Sequence, residues 1–570
     1  MEANTQRRYR KAPEVTEERR YHRAGKKRRY RKTPEITEER RYRKAPEITE
    51  QRRYRKGLEV TEERRYRKAG KRKRYDRALK AKNISQYPIV PIATVLVAVV
   101  IITIVLFMPP YIGMEDNGDY ARVTYGQGLY DLPENSELLY NGYFIKEYGI
   151  MQHYNEYNST VFTSQALFIQ PAIWLDKLFT GNDNIFDLRF MGIVMSVYFL
   201  VVLYFLVEYF THRLSLISQL AIAGACIFIF VDTGYTAYFN SFFAEPLAYI
   251  SLLACITCAL LYAEGRYNQY VLLAGFVLNG ILLTLSKQQL APIGVVLGLL
   301  CLFFYMKAGA RLFKWLVALS SASLVLSGIL TYMLISTEFT NINLYHSLTR
   351  GVLMTSEDPP DTLDSFDIDS QYELLNQTIY FDRYPVIDPE DVRLKENLYN
   401  KYNILSIVKH YVTHPGAFME MMKLAAQNAY RIRPDLGNYE YGSGYPPNEK
   451  TQVFSVYSNL KQTYTPKTTG FIAIWMVVVI ALLYKRKMKQ IIVGALILIG
   501  LSQIIVPIIG AGDADLAKHM FLYNVAFDTV NIMVFAHVVA FMDKRYKVKK
   551  AAAVINQVDI TNDISIGQKI

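Results

Sequence analysis

Ten apolar runs punctuate the chain, at roughly 88–110, 190–210, 214–231, 243–262, 271–285, 290–306, 315–335, 469–484, 490–510 and 521–541. The first, Tyr87 to Met108, has the ~20 apolar residues that cross a bilayer core, and most of the others approach that length. The pattern predicts an all-α polytopic membrane protein of about ten transmembrane helices. Runs five and six are short and are broken by Ser286-Lys287-Gln288-Gln289. Two long polar intervals, 111–188 and 336–468, separate the runs. In the second, Asn403 to Tyr411 and Pro415 to Tyr430 have helical spacing, with Pro415 suited to a first helical position. Ile407, Ala417, Met421, Met422 and Leu424 there offer apolar faces for the membrane interface plane.

The chain before the first run is of another kind. Its 86 residues hold 32 Lys/Arg against 13 Asp/Glu, whereas the rest holds 33 against 38, so the net charge of +14 belongs to one tail. A twelve-residue unit, Arg-Arg-Tyr-Arg-Lys-Ala-Pro-Glu-Ile-Thr-Glu-Glu in consensus, repeats from Arg7, Arg19, Arg28, Arg40, Arg52 and Arg64, with the second copy cut to nine. No copy can bury a core, so disorder or fraying helix is expected. So basic a run beside a membrane span is expected against anionic lipid headgroups. Nucleic-acid binding is the other use of Arg/Tyr repeats, but no folded reader accompanies the tail. The four cysteines, Cys226, Cys255, Cys258 and Cys301, fall inside apolar runs and read as buried thiols; Cys255 and Cys258 lack a second pair for metal or redox work.

Loop charge orients the runs. With the tail inside, the inner loops hold Arg213, Arg266, Lys307 to Lys314, Lys485-Arg486-Lys487 and Lys544 to Lys550. The outer loops hold Asp116, Asp119, Asp232, the acidic stretch Glu357 to Asp369, Asp513 and Asp515. The positive-inside rule then places both termini in the cytoplasm, with residues 546–570 as a second cytoplasmic tail.

This threading gathers the unusual polar residues on the outer side. Asp116-Asn117-Gly118-Asp119 begins six residues after Pro110, and carboxylates beside the hydrocarbon are costly without a cation, proton or polar substrate. Glu245 opens a span within Tyr238 to Pro246, and Lys287 lies in the broken boundary of runs five and six. Tyr345-His346 and Arg350 follow run seven; Arg431, Arg433 and Asp435 precede run eight; Asp513, Asp515, Lys518 and His519 precede run ten. Each has a bland reading: Glu245 caps a helix, Lys287 snorkels, Arg431 is a positive flank. Together they predict one polar cavity. Carboxylates suit a hydroxyl nucleophile or a divalent cation. Lys and Arg suit phosphate. Tyr120, Tyr125, Tyr148, Tyr154 and Tyr157, read as exposed, suit sugar faces or the membrane interface. A lipid-linked phosphosugar satisfies all three groups. No Gly-rich phosphate loop, zinc pattern or G-x-S-x-G is present, and Asp364, Asp367 and Asp369 lack the rest of an EF-hand loop. Without a cytosolic nucleotide-binding domain, a donor that is already lipid-linked is favoured over a nucleotide sugar.

At Glu115-Asp116-Asn117-Gly118-Asp119-Tyr120 the chain resembles the first-loop motif of the GT-C superfamily of integral-membrane glycosyltransferases. It is most similar to bacterial hexose transferases of surface-layer glycan clusters. Tyr238 to Pro246, Tyr345 to Leu353, Arg433 to Asn438 and Gly512 to His519 carry the likeness further, over roughly residues 88 to 545. The resemblance implies a multi-pass plasma-membrane enzyme that moves a hexose from polyprenyl phosphate to a glycan or glycolipid acceptor at the outer face. It implies catalysis by Asp116 or Asp119, with the base unassigned. Glu245 would support the reaction electrostatically. Lys287, His346, Arg350, Arg431, Arg433, Asp513, Lys518 and His519 are the expected substrate contacts. The superfamily commonly has more than ten spans, so 11–13 remain open, as does metal use. A surface polysaccharide polymerase, and a glycan flippase or transporter, are the alternatives.

Overall fold

The computed structural model describes residues 88–153, 162–483 and 487–567. The basic repeats, Tyr154, Tyr157 and Lys485-Arg486 lie outside the described residues, and with them the disorder and lipid contact expected of the tail. Every apolar run contains a helix. In chain order the first half holds α1 (Ile89–Phe107), α2 (Ala166–Thr180), α3 (Arg189–Thr211), α4 (Leu216–Phe230), α5 (Glu245–Ala263), α6 (Gln269–Thr284) and α7 (Ala291–Lys307). The second half holds α8 (Arg311–Met333), α9 (Thr337–Ser347), α10 (Ile404–Thr413), α11 (Pro415–Asn428), α12 (Val456–Tyr464), α13 (Thr469–Leu482), α14 (Lys487–Ala511) and α15 (Phe521–Gly567).

Among the described residues, seven helices are long and apolar enough to cross a membrane, or nine if two bent pairs each count as one span. One pair is α4 with the following Thr233–Phe239 segment, bent by 45°; the other is α12 with α13, bent by 114°. By length and composition alone the count is thus seven to nine against the expected ten, and the difference includes α6, an apolar helix of 16 residues that at 1.5 Å per residue reaches about 24 Å of the ~30 Å core. The protein is all-α and polytopic.

Burial follows the hydrophobic pattern around each helix. A helix apolar on all sides belongs at the centre of a bundle, and α5 is buried along nearly its whole length. The peripheral α8 turns Leu312, Trp315, Leu319 and Leu326 outward. It packs on α7 backbone to backbone: a Cβ on Gly294 would lie 2.4 Å from Leu324 O, and one on Gly328 2.4 Å from Ala291 O. Gly294 and Gly298 thus supply the small-residue face that lets membrane helices approach closely.

The first polar interval contributes a three-stranded antiparallel sheet, β1 (Leu129–Tyr130), β2 (Glu147–Ile150) and β3 (Ile185–Asp187), in that order. Tyr148 pairs with Phe186 and Tyr130 with Gly149. Between β2 and β3, α2 exposes Leu167, Trp174, Leu178 and Phe179, a face suited to the membrane interface.

The second polar interval has its own core around Tyr345, Leu348, Leu363, Tyr402, Met421 and Tyr430, seated on the ends of α14 and α15. Asn403 caps α10 through a capping box with Ser406, and Pro415 opens α11, as the spacing predicts. The expectation that these helices lie in the interface plane is corrected for their key residues. Ile407 and Met421 are fully buried, and Ala417, Met422 and Leu424 pack against the same core.

Candidate functional site

The acidic motif is fixed by the loop before α12. Ile112 bridges Tyr439, Gly113 N donates to Asn438 O (3.1 Å), and Glu115 N donates to Gly437 O (2.9 Å). Glu115 completes the staple, its carboxylate accepting from Gly142 N (2.5 Å) and Gly437 N (3.0 Å). The next residue, Asp116, is buried. Its Oδ1 accepts from Gly118 N (2.8 Å) and Tyr120 N (3.1 Å), the side-chain-to-backbone turn that Asp forms well. Gly118 sits at φ 94°, where a side chain would be strained. Oδ2 accepts no hydrogen bond among the described residues.

Asp119 faces cations instead. It is ion-paired with Lys518, and its other oxygen lies 2.7 Å from Arg122 Nη2. Lys518 also donates to Asn117 Oδ1 (3.1 Å) and lies 4.1 Å above the Phe243 ring. Asn117 in turn donates to Asp515 (3.3 Å). Beside them Glu245, at the first turn of α5, pairs with Lys287 at 2.8 Å. Glu245, Lys287, Lys518 and His519 line one pocket of about 250 Å³, open solvent included, with Gln289, Gln503 and apolar residues. His519 Nδ1 meets Gln289 Oε1 at 2.7 Å, and Gln289 Nε2 donates to Gln503 Oε1 (2.8 Å). The C-terminal ends of α1, α6 and α14 meet here with the N-terminal ends of α5, α7 and α15. Helix N-termini carry partial positive charge and C-termini partial negative charge, so the three of each offset one another and the lysines supply the positive charge that favours an anion.

The two motif carboxylates have opposite electrostatics. Burial pushes the Asp116 carboxyl up to about 7, with Asp119 adding to the rise and two backbone hydrogen bonds and Lys518 opposing it. Burial acts on Asp119 in the same direction. There Lys518, Arg122 and Lys287 overcome it and hold the carboxyl well below its usual range.

The remaining predicted residues lie in other arrangements. Arg350 grips Asp513 with two bonds (2.7 and 2.9 Å) and also donates to Gln377 O (2.7 Å), tying the second polar interval to the end of α14. His346 is buried there, its Nε2 accepting from Tyr380 N at 2.9 Å; burial, the main cause, lowers it to about 4. Arg431 pairs with Asp435 at 2.6 Å near the surface. Arg433 is buried and donates to Asn438 Oδ1, Thr451 O and Ser455 Oγ, so its hydrogen-bonding capacity serves the loop that holds Glu115. Tyr120 and Tyr148, expected to be exposed, are each 1% exposed. They pack edge-on against Phe242, and Tyr120 also against Phe243.

Sequence reasoning gave no role to four contributors, Glu115, Asn117, Gln289 and Gln503, although the first two stand in the acidic motif and Gln289 in the break between runs five and six. The two glutamines carried a signal, since each interrupts or borders an apolar run. It also missed Lys461 and Asp528, a fully buried pair at 2.7 Å, with Tyr235 and Tyr457 each donating to Asp528 at 2.5 Å. Their signal was equally plain: an aspartate inside the tenth run. Among the described residues no group of three or more His, Cys, Asp or Glu is placed to hold a metal ion. Cys226, Cys255 and Cys301 are buried in the bundle, and Cys258 is half-buried.

The family described as YfdI N-terminal transmembrane domain matches residues 73–558. Neither a curated protein nor a solved structure matches the chain.

Proposed function

The chain belongs to the family of the YfdI N-terminal transmembrane domain, a GT-C-like glycosyltransferase family, and from that premise we propose that it moves a hexose from a polyprenyl-phosphate sugar to a cell-surface glycan at the outer face. The observation that carries the reading is the contrast between Asp116 and Asp119. Asp116 is buried, holds one oxygen unbonded, and is pushed up to about 7. A general base works best near the operating pH. Asp119 is held ionised by cations, and separated pairs of this kind mark divided roles.

In the proposed reaction the acceptor hydroxyl gives its proton to Asp116 Oδ2 while its oxygen attacks the anomeric carbon. The bond from that carbon to the phosphate oxygen breaks, and polyprenyl phosphate leaves with the electron pair. Lys518 and Lys287, braced by Asp119 and Glu245, stabilise the charge that develops on the leaving phosphate. Arg122, paired with Asp119, adds to that field. Arg350 and Asp513 position the outer interval over the site.

A transport reading draws on Lys461 and Asp528, because charges inside a bundle often line a path. Both are enclosed, at 2% and 0% side-chain exposure, and tied to two tyrosines, which fits a clamp between α12 and α15. The test of the glycosyltransferase reading is to incubate membranes with defined polyprenyl-phosphate hexoses and follow the labelled sugar. Transfer that depends on Asp116 or Asp119 is expected. Full transfer by both Asp116→Asn and Asp119→Asn overturns the assignment.

A further inference from the structure

Besides the lysines, the first polar interval brings Tyr125, Asp131, Tyr140 and Tyr148 to the neighbourhood of Asp116. Tyr120, whose backbone N–H donates to Asp116, meets Phe242 edge-on, and Phe242 meets Tyr148. Tyr125 OH donates to Asp131 Oδ2 at 3.3 Å. Tyr148 is fully buried on β2, one residue from the Gly149 that pairs with Tyr130, yet its hydroxyl makes no hydrogen bond. A buried, unbonded phenol is costly and calls for a partner. Tyr140 is 55% exposed. It is held at φ 59°, a left-handed conformation rare for a bulky residue and typical of functional positions.

The same staple that places Asp116 places this loop. Glu115 Oε1 accepts from Gly142 N, two residues after Tyr140, at 2.5 Å. Gly142 stands so close to Gly437 that a Cβ on Gly437 would lie 1.9 Å from Gly142 O. The electrostatics agree with the geometry. Burial first, then Asp116 and Asp131, push the Tyr140 phenol up to about 12 and the Tyr148 phenol well above its usual value. Both phenols therefore sit within the field of both carboxylates.

The geometry points to an acceptor-sugar subsite in which the Tyr140 ring, Tyr125-Asp131 and the unbonded Tyr148 hydroxyl hold a polyhydroxylated ring against Asp116. The chemistry selects a neutral or cationic carbohydrate. An exposed tyrosine ring offers an apolar face for sugar C–H groups, a carboxylate accepts from vicinal hydroxyls, and Tyr148 can donate or accept once. The inference rests on the glycosyl-transfer reading and assigns its acceptor side.

The test uses full-length protein in detergent, with the surface polysaccharide purified from the producing cells as acceptor and labelled polyprenyl-phosphate hexoses as donors. Tyr140→Ala, Asp131→Asn and Tyr148→Phe are each expected to raise the acceptor KM by about tenfold and to leave the donor KM within twofold. Tyr148→Phe removes only one oxygen and guards against misfolding in the other two. An unchanged acceptor KM in all three, or a donor KM that rises in parallel, overturns the subsite. A second arm omits the donor and measures binding of the polysaccharide alone. Binding that weakens in the variants supports the subsite even if no donor is turned over, in which case the transfer reading fails and the subsite stands. Polysaccharide binding that is absent from the unaltered protein, or equal in all variants, overturns it.

Discussion

Lys518 and Asp119 lie 399 positions apart in the chain and form an ion pair in which the lysine also donates to Asn117 Oδ1 at 3.1 Å. The pair joins the loop after the first membrane helix to the start of the last one. It thereby separates the two carboxylates of one short motif: Asp119 is occupied by cations, and Asp116 is not.

Asp116→Asn is expected to lower sugar transfer by about 10²–10⁴-fold, the usual contribution of a positioned general base. Asp119→Asn is expected to act differently, raising the donor KM as Lys518 loses its brace. Initial rates at varied donor concentration in membranes distinguish the two.

Transfer is expected to fall as pH drops through about 7, because Asp116 takes up a proton there. The sign follows from its role: only the ionised carboxylate accepts the hydroxyl proton. A kcat/KM profile from about pH 3 to 9 checks this, and an acid limb lying near the ordinary carboxylate value of 3.8 removes Asp116 as the base.

Lys461→Met is expected to destabilise the protein by about 3–5 kcal/mol, since it strands Asp528 without a countercharge at a site with 0% exposure. The double variant Lys461→Met, Asp528→Leu is expected to recover much of that loss. Thermal unfolding in detergent measures both, and equal losses in the single and double variants contradict the clamp.

Gly512→Ala is expected to loosen the second polar interval by on the order of 2 kcal/mol or more. Gly512 sits at φ 61°, and a Cβ there would lie 2.4 Å from the Arg350 carbonyl carbon. Increased proteolysis within residues 336–468, with the membrane helices still protected, is the expected readout.

Deletion of residues 1–80 is expected to leave transfer unchanged, because every residue of the proposed site lies beyond residue 110. Loss of transfer in a deletion protein that inserts normally gives the basic repeats a catalytic role.

Much of this architecture was readable from the chain. The ten apolar runs each contain a helix because sustained hydrophobicity leaves a segment little choice but to bond its backbone internally in lipid. Polar residues at the run boundaries, among them Lys287 and the Asp116 motif, stood out because their burial is costly. Surface and interior tyrosines could not be told apart. Tyr120 and Tyr148 looked like interface aromatics, yet Phe242 and Phe243 enclose Tyr120 and Phe242 meets the Tyr148 ring. Those phenylalanines lie about a hundred residues away, and no local periodicity encodes such a contact.

By itself, then, the sequence determined that the protein is a helical membrane bundle with its unusual charges at one end. Hydrophobic length and loop charge are local quantities, legible one segment at a time. Only the tertiary structure decided which charges meet: Lys518 with Asp119, Lys287 with Glu245, Arg350 with Asp513, while Arg433 turns to the loop that carries Glu115. A buried charge takes its character from the partners that enclose it, and those partners come together only when helices distant in the chain pack side by side.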